Sequence, residues 1–248
     1  MAGGFLGEPL EVVKCGTIDL EVPACAEIVI EGEILSGERE DEGPFGEFTG
    51  YASSHSTRHL MRVSGILKRR DAIYQDIVPG YSEEHCLLLR VPHECRTFRA
   101  LKGTFPTLRA VSYPRSGACR FHCYISLKPL ASGQARQAIL AAFAEDSSLK
   151  LVVAVDEDID VYREEEVLWA MATRMQADRD LLVMPGVMGA MLDPSSEGGL
   201  TAKLGVDATV PTSGWKAKRT SLPREARERA SGLAGELLRK LSSGKGDL

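Results

Sequence analysis

The sequence predicts a mixed architecture, α+β and α/β in turn. An antiparallel, barrel-like β-region over residues 1–80 precedes a three-layer α/β domain over 81–215, and a tail over 216–248 carries a C-terminal helix. Three observations predict it. Apolar residues alternate with period two as far as Val78, strands and helices alternate from Leu108 onward, and the charge balance inverts at Lys216. From Lys216 the tail holds nine Lys and Arg against four Asp and Glu, so it is +5 and the preceding residues are −10.

The first strands are Val12–Cys15, Ala26–Ile34, Leu60–Leu67 and Ala72–Val78, separated by polar or Gly-rich turns. In the second, Ala26, Ile28, Ile30 and Ile34 share one face and glutamates mostly hold the other, the signature of a half-buried strand. Ser82-Glu83-Glu84-His85 reads as a cap opening a helix. Strands follow near Ala110–Ser112, Phe121–Leu127, Lys150–Val155 and Leu181–Met184, with helices over Gly133–Glu145 and Glu164–Met175. Ala135, Ala138, Ile139, Ala142 and Phe143 form an apolar stripe that packs the first of these helices on a sheet. Residues 185–215, rich in Gly, Pro, Ser and Asp, read as a long irregular loop. In the tail, Pro223 suits a first helical position, and Ala226, Ala230, Leu233, Leu237 and Leu241 form a narrow stripe for docking on a neighbouring subunit or on the chain's own body.

The chain has 248 residues with 30 Lys and Arg against 35 Asp and Glu, a net charge of −5. No global basic field exists to hold nucleic acid or an anionic membrane surface. Apolar runs such as Leu151–Val155 and Ile139–Ala144 are far shorter than the roughly 18 residues a membrane helix needs. The first residues lack a cationic stretch followed by a long apolar one, so a cytoplasmic location is expected. Cys15, Cys25, Cys86, Cys95, Cys119 and Cys123 lack disulfide-scaffold spacing and read as thiols.

The segment richest in chemistry is Glu40-Asp41-Glu42-Gly43-Pro44-Phe45-Gly46-Glu47-Phe48-Thr49-Gly50-Tyr51. Glu42 and Glu47, held in a turn by Gly43, Pro44 and Gly46, are placed to face one cavity and shift each other's ionisation, which suits proton transfer. The plainer reading is a solvated acidic turn with Phe45 anchoring a hairpin.

This segment and four others, in order, are the Ala24–Gly32 stretch, Val155-Asp156-Glu157-Asp158-Ile159-Asp160, Thr173-Arg174-Met175, and Gly198-Gly199-Leu200-Thr201-Ala202-Lys203-Leu204-Gly205-Val206-Asp207-Ala208-Thr209. Together they resemble the UbiD family of decarboxylases over most of the chain. The resemblance implies a carboxy-lyase that binds prenylated FMN with a divalent metal (Mn or Mg) and removes CO2 from aromatic or α,β-unsaturated carboxylic acids. It implies that Glu47 is the proton donor to the product carbon, that Glu42 belongs to a network with an arginine, and that the β-region is part of a split, flavin-binding barrel. Lys150 resembles a lysine that reaches the flavin phosphate, and Leu204 an apolar pocket residue. The resemblance covers the C-terminal half of such enzymes. The catalytic arginine, the metal ligands and most flavin contacts belong to the other half, so the resemblance implies a part of a split enzyme, with a partner chain supplying that half, or of a truncated one; a homo-oligomer is expected too. The alternative is a non-catalytic assembly or binding protein derived from the oligomerising half.

Other constellations are weaker. Asp156, Glu157, Asp158 and Asp160 match no calcium loop and suit solvated or capping acids at a strand end. Cys119, His122, Cys123, His85, Cys86, His93 and Cys95 lack paired zinc spacing, and burial accounts better for Cys123 beside Phe121 and Ile125. Gly198, Gly199 and Gly205 do not join a strand to a helix as a phosphate cradle requires, and His55 and His59, four apart, would need a helix to converge, whereas Ala52–Arg58 reads as loop. No metal site is expected within this chain.

Overall fold

The computed structural model describes residues 2–211, 215–220 and 223–243. They form two compact units, 1–210 and 211–248.

The first unit begins with a short helix α1 (Ala2–Leu6) and a small hairpin of β1 (Val12–Lys14) and β2 (Glu21–Pro23), paired Val13 to Val22. Two long antiparallel strands follow, β3 (Ile28–Glu42) and β4 (Ser56–Lys68), in register from Ile28 opposite Lys68 to Glu42 opposite Ser56. The ribbon slips register between Glu31 and Gly32 because of local chemistry. A Cβ on Gly32 would stand 2.3 Å from the Arg62 carbonyl oxygen, so only glycine permits the approach. The adjacent Glu31 carboxylate, 1% exposed, accepts from the Gly16 and Thr17 amides at 2.8 and 2.5 Å and from the Thr17 hydroxyl at 2.5 Å. The Thr17 hydroxyl, then the amides, hold this carboxyl below its ordinary range against the effect of burial.

Two expectations are corrected here. The face of Ile28, Ile30 and Ile34 is exposed, with Ile34 67% accessible, and across the ribbon Met61, Val63 and Ile66 are exposed too; Glu31 and Leu35 are the buried side chains of β3. No other element of the first unit, among the described residues, covers that apolar face. Ala72–Val78 is irregular rather than a strand, because side chains take its amides: Ile73 N donates to Glu27, Ile77 N to Asp76 and Val78 N to Glu84.

Helix α2 (Glu83–Thr104) opens at Ser82, whose hydroxyl accepts from His85 N, with Glu83 and Glu84 in its first turn. A five-stranded sheet follows in the order β5-β6-β7-β9-β8. It is built from β5 (Leu108–Ser112), β6 (His122–Leu127), β7 (Leu151–Asp156), β8 (Leu181–Met188) and β9 (Leu200–Ala208), with β6, β7 and β9 parallel and the two edges antiparallel. Helix α3 (Gln134–Glu145) joins β6 to β7, and α4 (Glu164–Arg174) lies on the opposite face. Val152 and Ala154 pack with Ile139 and Ala142 of α3, whereas Val153 and Val155 pack with Val167 and Ala170 of α4, giving three layers as expected.

The stretch 185–215 is not one loop. Strand β8 runs to Met188, and β9 lies beside β7 at the middle of the sheet. Its strand character is masked in the sequence by Lys203 and Gly205, which answer to distant partners, and by Asp207, which caps locally. Lys203, 4% exposed, donates to the carbonyls of Ser147 (2.6 Å) and Leu149 (2.7 Å). A Cβ on Gly205 would stand 2.6 Å from Ile139 Cγ2, and Asp207 accepts from Thr209 N at 3.1 Å.

In the second unit, α5 (Arg224–Ser243) carries exposed Leu233, Leu237 and Leu238. The side chain of Leu241, the last member of the expected stripe, lies outside the described residues.

Candidate active site

Glu42 is the last residue of β3, not part of a turn, and its carboxylate meets Arg58 Nε of the paired strand at 3.2 Å. Glu47, half-buried, lies in the loop between β3 and β4. Glu47 N donates to Tyr51 O and Gly50 N to Glu47 O, both at 2.9 Å, while Gly46 bridges to Ala52 and Phe45 N donates to the Ser53 hydroxyl. Gly50, with φ of 83°, sits in the left-handed region that this tight turn requires. The anchoring ring is Phe48, 8% exposed, rather than Phe45, which is 47% exposed. Phe48 packs on Phe121 (centroids 5.5 Å apart) and meets His85 edge-on at 6.3 Å.

Thr49, Gly50 and Tyr51, just after Glu47, form one wall of a cavity of about 410 Å³. Tyr81, the Ser116–Ala118 turn, Phe121, His122, Lys150 and the Asp193–Ser195 segment complete it. The Lys150 amide donates to Phe121 O at 2.7 Å and its carbonyl accepts from Leu204 N at 2.8 Å, so the head of β7 is tied to both neighbouring strands. The Lys150 ammonium lies 2.8 Å from Asp193 Oδ2 and donates to the Ser195 hydroxyl at 2.6 Å. Burial pushes the Asp193 carboxyl up, but Lys150 and Ser195 outweigh it and hold the group below its ordinary range. His122 is held below its usual range, first by burial and also by Lys150 nearby. Its Nδ1 is buried without a hydrogen-bond partner among the described residues. Behind the cavity, Glu164 accepts from Ser116 (2.5 Å) and Tyr124 (2.6 Å), and burial together with that carboxylate pushes the Tyr124 hydroxyl up.

The turn that walls the cavity is strained. Ala118 and Cys119 have φ of 54° and 53°, a conformation non-glycine residues adopt at a cost, often at functional sites. Tyr81 clamps it: its hydroxyl donates to Arg115 O at 2.7 Å, Arg115 Nη2 donates to Tyr81 O at 3.2 Å, and the guanidinium lies 4.7 Å from the ring centroid. Gly117 has no alternative, because a Cβ there would meet His122 Cβ at 2.4 Å.

Of the four candidate positions, the Glu47 loop and Lys150 flank one cavity. Leu204 lies against the core cluster of Tyr124, Val153 and Val206 and is not among the cavity's lining residues, and Glu42 meets Arg58. Sequence reasoning missed Tyr81, Ser116, Asp193 and Ser195 at this site. None carries a motif: the Tyr81–Arg115 clamp holds the Ser116 turn, and Lys150 at the head of β7 gathers Asp193 and Ser195 from the segment between β8 and β9. The strand-end acids have a structural task. Arg174, 8% exposed, donates to Asp156 (2.7 Å) and to both oxygens of Asp158 (2.9 and 2.7 Å), and Asp156 also accepts from Val210 N at 2.7 Å. Two separated sequence motifs thereby join α4 to the end of β7. Among the described residues no three His, Cys, Asp or Glu side chains converge as a metal site.

Comparison with known proteins decides the family. The family model of the 3-octaprenyl-4-hydroxybenzoate carboxy-lyase Rift-related domain matches residues 1–82, and that of the C-terminal domain of the same carboxy-lyase matches residues 86–208. The chain belongs to the UbiD family. It is 43% identical over 212 residues to the anhydromevalonate phosphate decarboxylase of Methanothermobacter thermautotrophicus, covering 85% of this chain and 50% of that protein. It is 34% identical to the phenolic acid decarboxylase of Bacillus subtilis, covering 85% of this chain and 46% of that one. Among solved structures, the UbiD-class enzyme HmfF from Pelotomaculum thermopropionicum in complex with FMN superposes with a TM-score of 0.83 at 44% identity, over 90% of this chain and 50% of HmfF. An evolved dimeric form of HmfF is known in complex with prFMN. This UbiD chain thus spans about half the length of the relatives it matches.

Proposed function

We propose that this chain is the C-terminal catalytic part of a UbiD-type carboxy-lyase acting on an aromatic or α,β-unsaturated carboxylic acid. One observation carries the reading: a loop pinned by Phe48 holds Glu47 immediately before the residues that wall a cavity of small-acid size. Prenylated FMN, when bound, supplies the electron sink for decarboxylation. Glu47 then delivers a proton to the product carbon, a general-acid contribution of about 10²- to 10⁴-fold. Glu42, an exposed carboxylate beside Arg58, belongs in this reading to a network with an arginine of the other half. Lys150 suits the anionic end of the cofactor, because its ammonium faces the cavity with one carboxylate and one hydroxyl as exchangeable partners. Leu204 supports Lys150 through its backbone. A divalent metal, Mn or Mg, belongs with ligands on the other half.

The exposed apolar face of β3 and β4 supports a partner that completes a split barrel, and Leu233 and Leu237 of α5 support a homo-oligomer. In this reading the chain divides at 1–80, 81–215 and 216–248, the first boundary falling beside the gap between the two family matches. The proposed location is the cytoplasm. No helix among the described residues is long and apolar enough to cross a membrane.

The test is reconstitution with a separately expressed N-terminal half and prenylated FMN, assayed by CO2 release from a panel of aromatic and acrylic acids. Glu47→Gln should lower turnover by about 10²-fold or more while assembly is unchanged. Wild-type rates in Glu47→Gln would eliminate the mechanism.

A further inference from the structure

We infer that Phe48 is a positioning residue, the mechanical link that sets Glu47 against the cavity. The inference rests on the reading of Glu47 as proton donor. In the chain, Glu47 reaches the α/β layers through its neighbour. The loop 43–53 closes on itself through backbone bonds at Glu47, Gly50 and Ser53, and Phe48 is the buried ring it sends out. That ring lands on residues from two different elements: His85 in the capped first turn of α2, and Phe121 just before β6. Both landing points are fixed. The His85 amide is held by Ser82, and the Phe121 carbonyl accepts from the amides of Lys150 and Leu151 at 2.7 and 3.0 Å. Phe121 also lines the cavity and lies 5.9 Å from the Lys150 ammonium. Glu47 is therefore one residue from a ring whose partner ring is a wall of the proposed reaction chamber. Two aromatic side chains have few rotatable bonds, so the pair transmits position with little play. A displacement of the donor of about 1 Å costs on the order of 10²-fold in rate, which gives such a link its value.

The test has two arms. In the full chain alone, amide hydrogen exchange should show Glu47 and Gly50 losing protection in Phe48→Ala, by about tenfold or more, while Ile125 and Val153 in the central sheet stay protected. In the reconstituted complex, Phe48→Ala should lower kcat by about tenfold or more with KM nearly unchanged, and Phe48→Leu should recover most of the loss. If Phe48→Ala also lost protection in the sheet, the milder Phe48→Val would be read in its place. Unchanged protection at Glu47 and Gly50, or wild-type kcat where Glu47→Gln is inactive, overturns the inference. Activity surviving in Glu47→Gln sinks the proton-donor reading instead, and the exchange arm still judges the link.

Discussion

Asp146, directly after α3, shows how far single side chains tie this fold together. Its carboxylate, 2% exposed, lies within 3.3 Å of His93, 3.4 Å of Arg120 and 3.8 Å of Arg96, and accepts from Ser148 N at 2.9 Å. Burial pushes this carboxyl up, but His93, the Ser148 amide and Arg120 outweigh burial and lower it from 3.8 to about 2. A folded-state value below the unfolded one stabilises the protein at pH above about 4. The stabilisation, about 2 kcal/mol, is lost as pH falls from 4 through 2. Chemical denaturation between pH 2 and 6 should show that slope in the wild type. In Asp146→Asn the Asp146 contribution to the slope should vanish, and stability at pH 7 should drop by about 3 kcal/mol because Arg120 loses its buried counter-charge. A variant with the wild-type slope would assign the pH dependence to other carboxylates.

At the scale of elements, β9 is the piece on which the site depends. It ties Lys150 to the sheet through Leu204 N, and Lys203 holds the preceding turn by the carbonyls of Ser147 and Leu149. Its contact with α3 is so close that Gly205 leaves no room for a side chain. Gly205→Ala should therefore push α3 away and destabilise the protein by about 1 to 3 kcal/mol, measured by thermal or denaturant unfolding. Gly37, whose added Cβ would meet nothing within 4 Å, marks the contrast. Substitution there is opposed only by its φ of 80°, so Gly37→Asn should be nearly neutral. A neutral Gly205→Ala would mean that α3 has slack the packing does not show.

For the whole molecule, the informative feature is the apolar face of the β3–β4 ribbon, carrying Ile30, Ile34, Val63 and Ile66. Solvent-exposed apolar surface of that kind marks a place of association. Ile34→Glu and Ile66→Glu should leave the stability of this chain within about 0.5 kcal/mol of wild type, since both side chains are already solvated. The same substitutions should abolish co-purification with the N-terminal half. Intact assembly in the double variant would move the contact to another face.

Much of this was legible before any coordinates. Local chemistry is short-ranged, so the Ser82 cap, the apolar stripe of α3 and a strand over Lys150–Val155 could be read directly. The Glu47 segment could be singled out by its residue types, and the ordered motifs led to the UbiD family. Strand β9 was hidden, because Lys203, Gly205 and Asp207 break the apolar pattern for partners more than 50 residues away in Ser147, Leu149 and Ile139, or for a local cap at Thr209. The exposure of Ile34 was hidden too, since alternation reports which residues share a face and not what covers it. The sequence by itself determined the alternating strands and helices from α2 through α4, and the family. Only the tertiary structure decided that Phe48 rather than Phe45 is the anchor and that Lys150 answers to Asp193, because both depend on contacts between segments that the chain order keeps apart.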